Sequence, residues 1–213
     1  MSPRANSRAF SLIDVLIVLA VILTLALFIL PNLAKSRARA FRINCSSNLK
    51  SVGLAFKMWE IDNNDRFPFH VPLTEGGAME AANNGNLPFV FEVMSNEVST
   101  PKILICPADV SRVAATNFLT LRNTNISYFV GLDATNTAPS AFLLGDHNIT
   151  NAAGLNNGVF LADINDSAGW TVALHKNCGN IGLADGSVQQ LSTARLRQAI
   201  ANTGFQTNRL LMP

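Results

Sequence analysis

The amino-acid sequence predicts an α+β fold. A long N-terminal α-helix, membrane-spanning in its first half and amphipathic in its second, packs on a small antiparallel β-sheet head with a short C-terminal helix. Three observations carry this reading. The run from Phe10 to Pro31 is dominated by aliphatic residues and holds a single charge, Asp14. Beyond it, Phe41, Cys45, Leu49, Val52, Phe56 and Trp59 recur at steps of three or four, the spacing of one helix face. Near the other end, Asp185-Gly186 separates two short strand-like segments, the sign of a hairpin turn.

The apolar run comes first. From Val15 to Ala34 no residue is charged, and about 20 residues at 1.5 Å each cover a hydrocarbon core of roughly 30 Å. A helix on the surface of a soluble domain would carry a polar face, and this one has none. A cleavable secretory signal would have an apolar region of roughly 7–15 residues before an A-x-A site. Here the nearest such triplet, Ala38-Arg39-Ala40, lies beyond the proline and among arginines. A carboxylate in lipid costs about 2.5–3.5 kcal/mol on insertion scales, so Asp14 needs a partner. Pro31 lacks a backbone donor and crowds the preceding turn, so it should kink or loosen the helix.

These landmarks form a pattern. A short leader with Arg4 and Arg8 ends in Ala9, directly before Phe10; Asp14 is the fifth residue counted from Phe10 and Pro31 the twenty-second. The arrangement resembles the class III signal of type IV pilins and type II secretion pseudopilins. The resemblance implies cleavage between Ala9 and Phe10 by a prepilin peptidase, N-methylation of Phe10, and roles in assembly for Asp14 and Pro31. The family usually has Gly and Glu where this chain has Ala9 and Asp14. The implied organisation is a leader over 1–9, a membrane and filament-core helix over 10–34, its amphipathic continuation over 35–62, and a head over 63–213. In a filament the partner of Asp14 would be the new amino terminus of a neighbouring Phe10. Lys35, Arg37, Arg39 and Arg42 after the span would favour a cytoplasmic head by the positive-inside rule. The resemblance implies the opposite: a single pass through the inner membrane with the head in the periplasm.

The stem should stay helical to about Ile61, where Asp62-Asn-Asn-Asp-Arg-Phe-Pro68 supplies turn formers and a proline. The stretch from Cys45 to Pro68 resembles the stem end of a pseudopilin-like subfamily. Leu87–Glu97 reads as a short helix, and Ile103–Cys106 and Ser127–Val130 as brief strands. Ala141–Gly145, Val159–Leu161, Trp170–His175, Asn180–Ala184 and Ser187–Leu191 are further strand candidates. A last helix over Ala194–Asn202 would have Ser192 as its cap and Gly204 as its stop.

Charge separates the two ends of the chain. Up to Lys57 there are eight basic residues and one acidic; from Met58 onward there are eight basic and thirteen acidic. A mildly acidic head does not suit nucleic acid. A calcium loop starting at Glu60 would put Asp65 and Val71 where glycine and glutamate are needed. His175 is followed by Asp185-Gly186 in the spacing H-x9-DG, which resembles the processing-associated motif of prepilin-like proteins. His175 and Asp185 could meet across the hairpin as a metal or acid–base pair, or serve only a strand end and a turn. Zinc would require His147, His175, Asp146, Asp185 and Cys178 to be converged by the fold; no metal or other cofactor is assigned. G-x-S-x-G and H-E-x-x-H are absent from the sequence, so no enzyme is indicated. Of the three cysteines, Cys45 and Cys106 occupy places where relatives of the resembled family carry cysteine. That resemblance implies a Cys45–Cys106 bridge with Cys178 free; three reduced thiols is the alternative.

The expected function is therefore that of a structural subunit of a type II secretion pseudopilus. Its partners would be the prepilin peptidase and methylase, other pilin-like subunits, the inner-membrane secretion platform and lipid. A type IV pilus subunit is the alternative, and a single-span enzyme using His147, His175 and Asp185 a more distant one.

Overall fold

The computed structural model describes residues 12–151, 154–165 and 167–213; Ala9 and Phe10 lie outside the described residues. One unbroken helix, α1 (Leu12–Asp62), has 51 residues and is about 75 Å long at 1.5 Å per residue. It passes through Pro31, which therefore does not end it. The chain divides into two units, one before Phe41 and one from Phe41 to Pro213.

In the first unit the helix exposes its aliphatic side chains along its length, from Leu12 to Leu33. An 18-residue window of it has a mean hydropathy of 3.1, with none of that window buried. Two of its polar side chains bond within the helix: Thr24 Oγ1 donates to the Val21 carbonyl at 2.8 Å and Asn32 Nδ2 to that of Phe28 at 3.0 Å. Such internal satisfaction suits a helix in a medium that offers no hydrogen bonds.

In the second unit the periodic stripe is the buried one. Cys45, Leu49, Val52 and Phe56 are fully buried and Trp59 nearly so, as the spacing predicts. The helix stops where Asn64 and Asp65 take positive φ and Asp65 N bonds back to the Glu60 carbonyl. Three short helices follow, α2 (Met79–Asn83), α3 (Leu87–Val93) and α4 (Ser95–Val98). The single helix expected over Leu87–Glu97 is thus two, divided at Met94.

The sheet strands are β1 (Tyr128–Gly131), β2 (Phe142–Asp146), β3 (Ile149–Thr150), β4 (Leu155–Asn156), β5 (Val159–Asp163), β6 (Gly169–Trp170), β7 (Cys178–Leu183), β8 (Val188–Ser192) and β9 (Thr207–Leu211), with α5 (Thr193–Asn202) between the last two. Seven of them form one sheet in the order β4-β5-β9-β1-β2-β7-β8, and β3 pairs with β6 separately. All pairings are antiparallel. Side chains alternate across β1: Tyr128 and Val130 face the cluster built on α1, and Phe129 faces the cluster built on α5. The first cluster joins Leu49, Val52 and Phe56 of α1 to Leu143, Leu144 and Leu211. The second packs Leu196 and Ile200 of α5 on Phe142, Ile181 and Leu210. The α+β class and the antiparallel head are as the sequence predicts.

Two strand expectations are corrected. Ile103–Cys106 is not a strand, because Pro101–Leu104 winds into a 3-10 turn capped by the Thr100 side chain; Pro101 at the first helical position is pre-set for that turn. Of Trp170–His175 only Trp170 is in a strand; the chain then turns through residues with left-handed φ at Lys176 and Asn177. Ser192 stands at the N-cap of α5 without a side-chain capping bond. Beyond Asn202, Gly204 takes φ +82°, the stop its identity implies. The β7–β8 turn is a type I turn closed by Gly186 N on the Leu183 carbonyl at 2.9 Å, followed by Gly186 at φ +85°. A residue with Cβ is strained there.

Candidate functional site

Four elements separated in sequence bring their polar side chains to one buried point. Cys45 comes from the inward stripe of α1 and Cys106 from the loop after the Pro101–Leu104 turn. Asp146 ends β2, and His175 lies in the turn before β7. All four are buried, and one ligand-type atom from each lies within 4.8 Å of the others. The Cys45 thiol donates to Asp146 Oδ1 at 3.0 Å. Cys106 Sγ is 3.4 Å from His175 Nε2, and the same nitrogen is 3.4 Å from Asp146 Oδ2.

A second layer holds the four. Asn180 donates to Asp146 Oδ2 from its backbone N at 2.7 Å and its side-chain Nδ2 at 2.9 Å, and Nδ2 also reaches Cys45 Sγ at 3.4 Å. The Tyr128 hydroxyl lies 3.6 Å from Cys45 Sγ. Gln190 Nε2 on β8 donates to the Asn180 side-chain oxygen Oδ1 at 3.4 Å, so the network reaches the hairpin.

The ionisation of the cluster follows from this crowding. Its hydrogen bond with Cys106, then burial, then the charge of Asp146 push the Cys45 thiol far up. The Cys45 hydrogen bond lowers Cys106 to about 5 against the effect of burial, and His175 contributes in the same direction. Burial, then the nearby Cys106, raise Asp146 to about 6, with His175 opposing. Burial disfavours a charged His175, but Cys106 and Asp146 outweigh it and raise its pKa. The buried point thus favours a cationic group among anionic ones.

The expected residues are redistributed. Of the five zinc candidates read from the sequence, the fold converges Asp146 and His175, adds Cys45 and Cys106, and leaves Cys178, His147 and Asp185 out of the group. Cys45 and Cys106, the pair implied to bridge, are neighbours in the group and stand as free thiols. His175 and Asp185 do not meet: they flank opposite ends of β7, about 20 Å for six residues at 3.3 Å each. Asp185 is exposed, and its carboxylate accepts from Ser187 N at 2.8 Å. It is a turn residue. His147 pairs with Asp109, whose Oδ2 accepts from His147 Nε2 and Ser127 Oγ, each at 2.9 Å, and whose Oδ1 accepts from Ser111 Oγ at 2.6 Å. The three residues of the enzyme alternative are therefore held by three different sets of partners. Asp14 and Pro31 both lie within α1, Asp14 in its first turn.

Comparison with known proteins adds one relationship. A 59-residue stretch is 39% identical to the "Type IV wide pilus major component PilA4" of Thermus thermophilus, covering 28% of this chain and 45% of that protein. The chain thus matches less than half the length of that relative. No family model and no solved structure matches. The long apolar N-terminal helix and the antiparallel sheet fit a pilin-like protein.

Proposed function

We propose that the chain is a pilin-like filament subunit of a type II secretion pseudopilus. Prepilin peptidase would cut it between Ala9 and Phe10 and methylate Phe10. The subunit would wait in the inner membrane with its head in the periplasm, then join other pilin-like subunits on the secretion platform. The observation that supports this reading best is the first part of α1, whose aliphatic surface is exposed throughout. Lipid covers such a surface before assembly, and the helices of neighbouring subunits replace lipid after it. Asp14 is the only charge in that surface, and pairing with the amino terminus of a neighbour would fix the register of one subunit on the next.

A second reading is a type IV pilus subunit. It is favoured by the name of the Thermus relative, a major component of a wide pilus. The acidic balance of the head argues against DNA as its ligand.

Mass spectrometry of the N-terminal peptide from membrane-extracted protein tests the shared part. N-methyl-Phe10 as first residue is the expected result; an intact Met1 or a start near Phe41 overturns it. Asp14→Ala should then stop filament formation and leave the head folded. Loss of exported protein on deleting the gene, with surface pili intact, would select the secretion filament, and the opposite phenotype the pilus.

A further inference from the structure

We propose that Cys45, Cys106, Asp146 and His175 bind one zinc ion as a closed, four-ligand structural site that fastens the second half of the stem helix to the sheet. The proposal is independent of which filament the subunit builds.

The donor set is the first argument. Two thiols, an imidazole and a carboxylate suit zinc in tetrahedral coordination. Zinc bonds of about 2.0–2.3 Å give tetrahedron edges of about 3.3–3.8 Å. Three of the separations are 3.0 Å from Cys45 Sγ to Asp146 Oδ1, 3.4 Å from Cys106 Sγ to His175 Nε2 and 3.4 Å from His175 Nε2 to Asp146 Oδ2. One donor atom from each residue lies within 4.8 Å of the others, so movements of side chains toward a common centre would seat the ion. Direction is the second argument. His175 Nε2 faces Cys106 Sγ and Asp146 Oδ2 at the same 3.4 Å, and a single N–H cannot serve both well. The separation from Asp146 Oδ2 exceeds the roughly 2.7–2.9 Å of a charge-assisted bond between nitrogen and oxygen. A nitrogen lone pair aimed at a centre shared by all three atoms accounts for this arrangement.

The surroundings are the third argument. Asp146 is fully buried and held by two donors of Asn180, the kind of outer partner that orients a metal ligand. Two thiolates and a carboxylate carry three negative charges. Zinc would neutralise two, and the Arg42 guanidinium, bonded to the His175 carbonyl at 2.9 Å, lies where it offsets the third. Binding would release the thiol protons to the buffer. All four ligand positions come from the protein and all are buried, so the site would be structural and not catalytic. The histidine of the H-x9-DG spacing thereby gains a role, while Asp185 and Gly186 keep theirs in the turn.

The test uses the full-length chain in detergent, reduced and stripped with a chelator, then titrated with Zn2+ alone and with Co2+ alone. The expected result is one equivalent of zinc per chain. Cobalt should give the visible bands of a tetrahedral site and a near-ultraviolet thiolate charge-transfer band. Asn180→Ala should weaken zinc binding about 10–100-fold, Cys106→Ser and His175→Gln by more, and Cys178→Ser not at all. Because ligand variants can fail to fold, thermal unfolding of the unaltered chain is measured as well, and zinc should raise its midpoint. Any of three results overturns the proposal: a reduced chain that takes up no zinc and shows no zinc-dependent shift, an octahedral cobalt spectrum, or loss of uptake in Cys178→Ser. A Cys45–Cys106 disulfide in the protein as extracted, with no metal uptake after its reduction, would replace the zinc site by a covalent bridge.

Discussion

Arg42, on the stem helix, donates from its guanidinium to the backbone carbonyl of His175 at 2.9 Å, across 133 residues of sequence. A half-buried cation thus holds the turn from which the imidazole projects. Hydrogen bonds involving a charged group contribute about 1.5–3 kcal/mol. Arg42→Ala should therefore destabilise the second unit by about 1.5–3 kcal/mol, read from denaturant unfolding of the full chain.

The aromatic core around α1 sets a larger effect. Phe56 is fully buried, and its ring centroid lies 6.1 Å from those of Phe67, Phe69 and Phe91. Phe56→Ala should cost about 3–5 kcal/mol, the lost transfer energy plus the cavity left behind. Leu23→Ala, on the exposed part of the helix, should leave the unfolding midpoint of the head unchanged. Measuring the two side by side in detergent separates head stability from membrane insertion.

Asp109 gives the head an acid-dependent contribution. Burial opposes its charge, but hydrogen bonds from His147, Ser111 and Ser127 outweigh burial and hold the carboxyl below the ordinary carboxylate range. A depressed folded pKa stabilises the fold above the unfolded value of 3.8, and this contribution is lost as pH falls from there through the folded pKa. Asp109→Asn should cost about 2 kcal/mol at neutral pH. The gap from the unaltered chain should narrow below about pH 4, which a series of urea titrations would show.

What the sequence made legible was local. The stripe from Cys45 to Trp59 repeats within one helix, and Asp185-Gly186 carries its turn in two adjacent residues, so both appear without tertiary knowledge. The strand proposed at Ile103–Cys106 failed because its apolar residues suit a buried 3-10 turn as well as a strand, and Pro101 with Thr100 decides for the turn. β9 carries no local strand signal, since Thr207–Leu211 gains strand character from its neighbours β5 and β1, both distant in sequence. The buried cluster was half visible. In the sequence, His175 and Asp146 stand out by their chemistry and Cys45 and Cys106 only by a family likeness. Only the fold, joining Cys45 to Asp146 across 101 residues, makes them one group.

The hairpin turn offers the sharpest backbone test. Gly186 has φ +85° and open space around its Cα, so an added methyl meets strain and no clash. Left-handed backbone costs roughly 1–2 kcal/mol for a residue with Cβ, and Gly186→Ala should lower stability by about that much. Gly186→Asn should recover part of the loss, because Asn tolerates this conformation. Thermal unfolding of the two variants would check the ranking.

The position of β9 has a consequence for biosynthesis. Thr207–Leu211 sits between β5 and β1, so among the described residues β4 and β5 join the rest of the sheet only through it. These residues leave the ribosome after all the other strands, and pairing between distant segments is slow. While they are still being made, the sheet cannot close. The apolar helix at the start of the chain therefore emerges long before the domain behind it can lock. The last strand acts as the latch that ends that window.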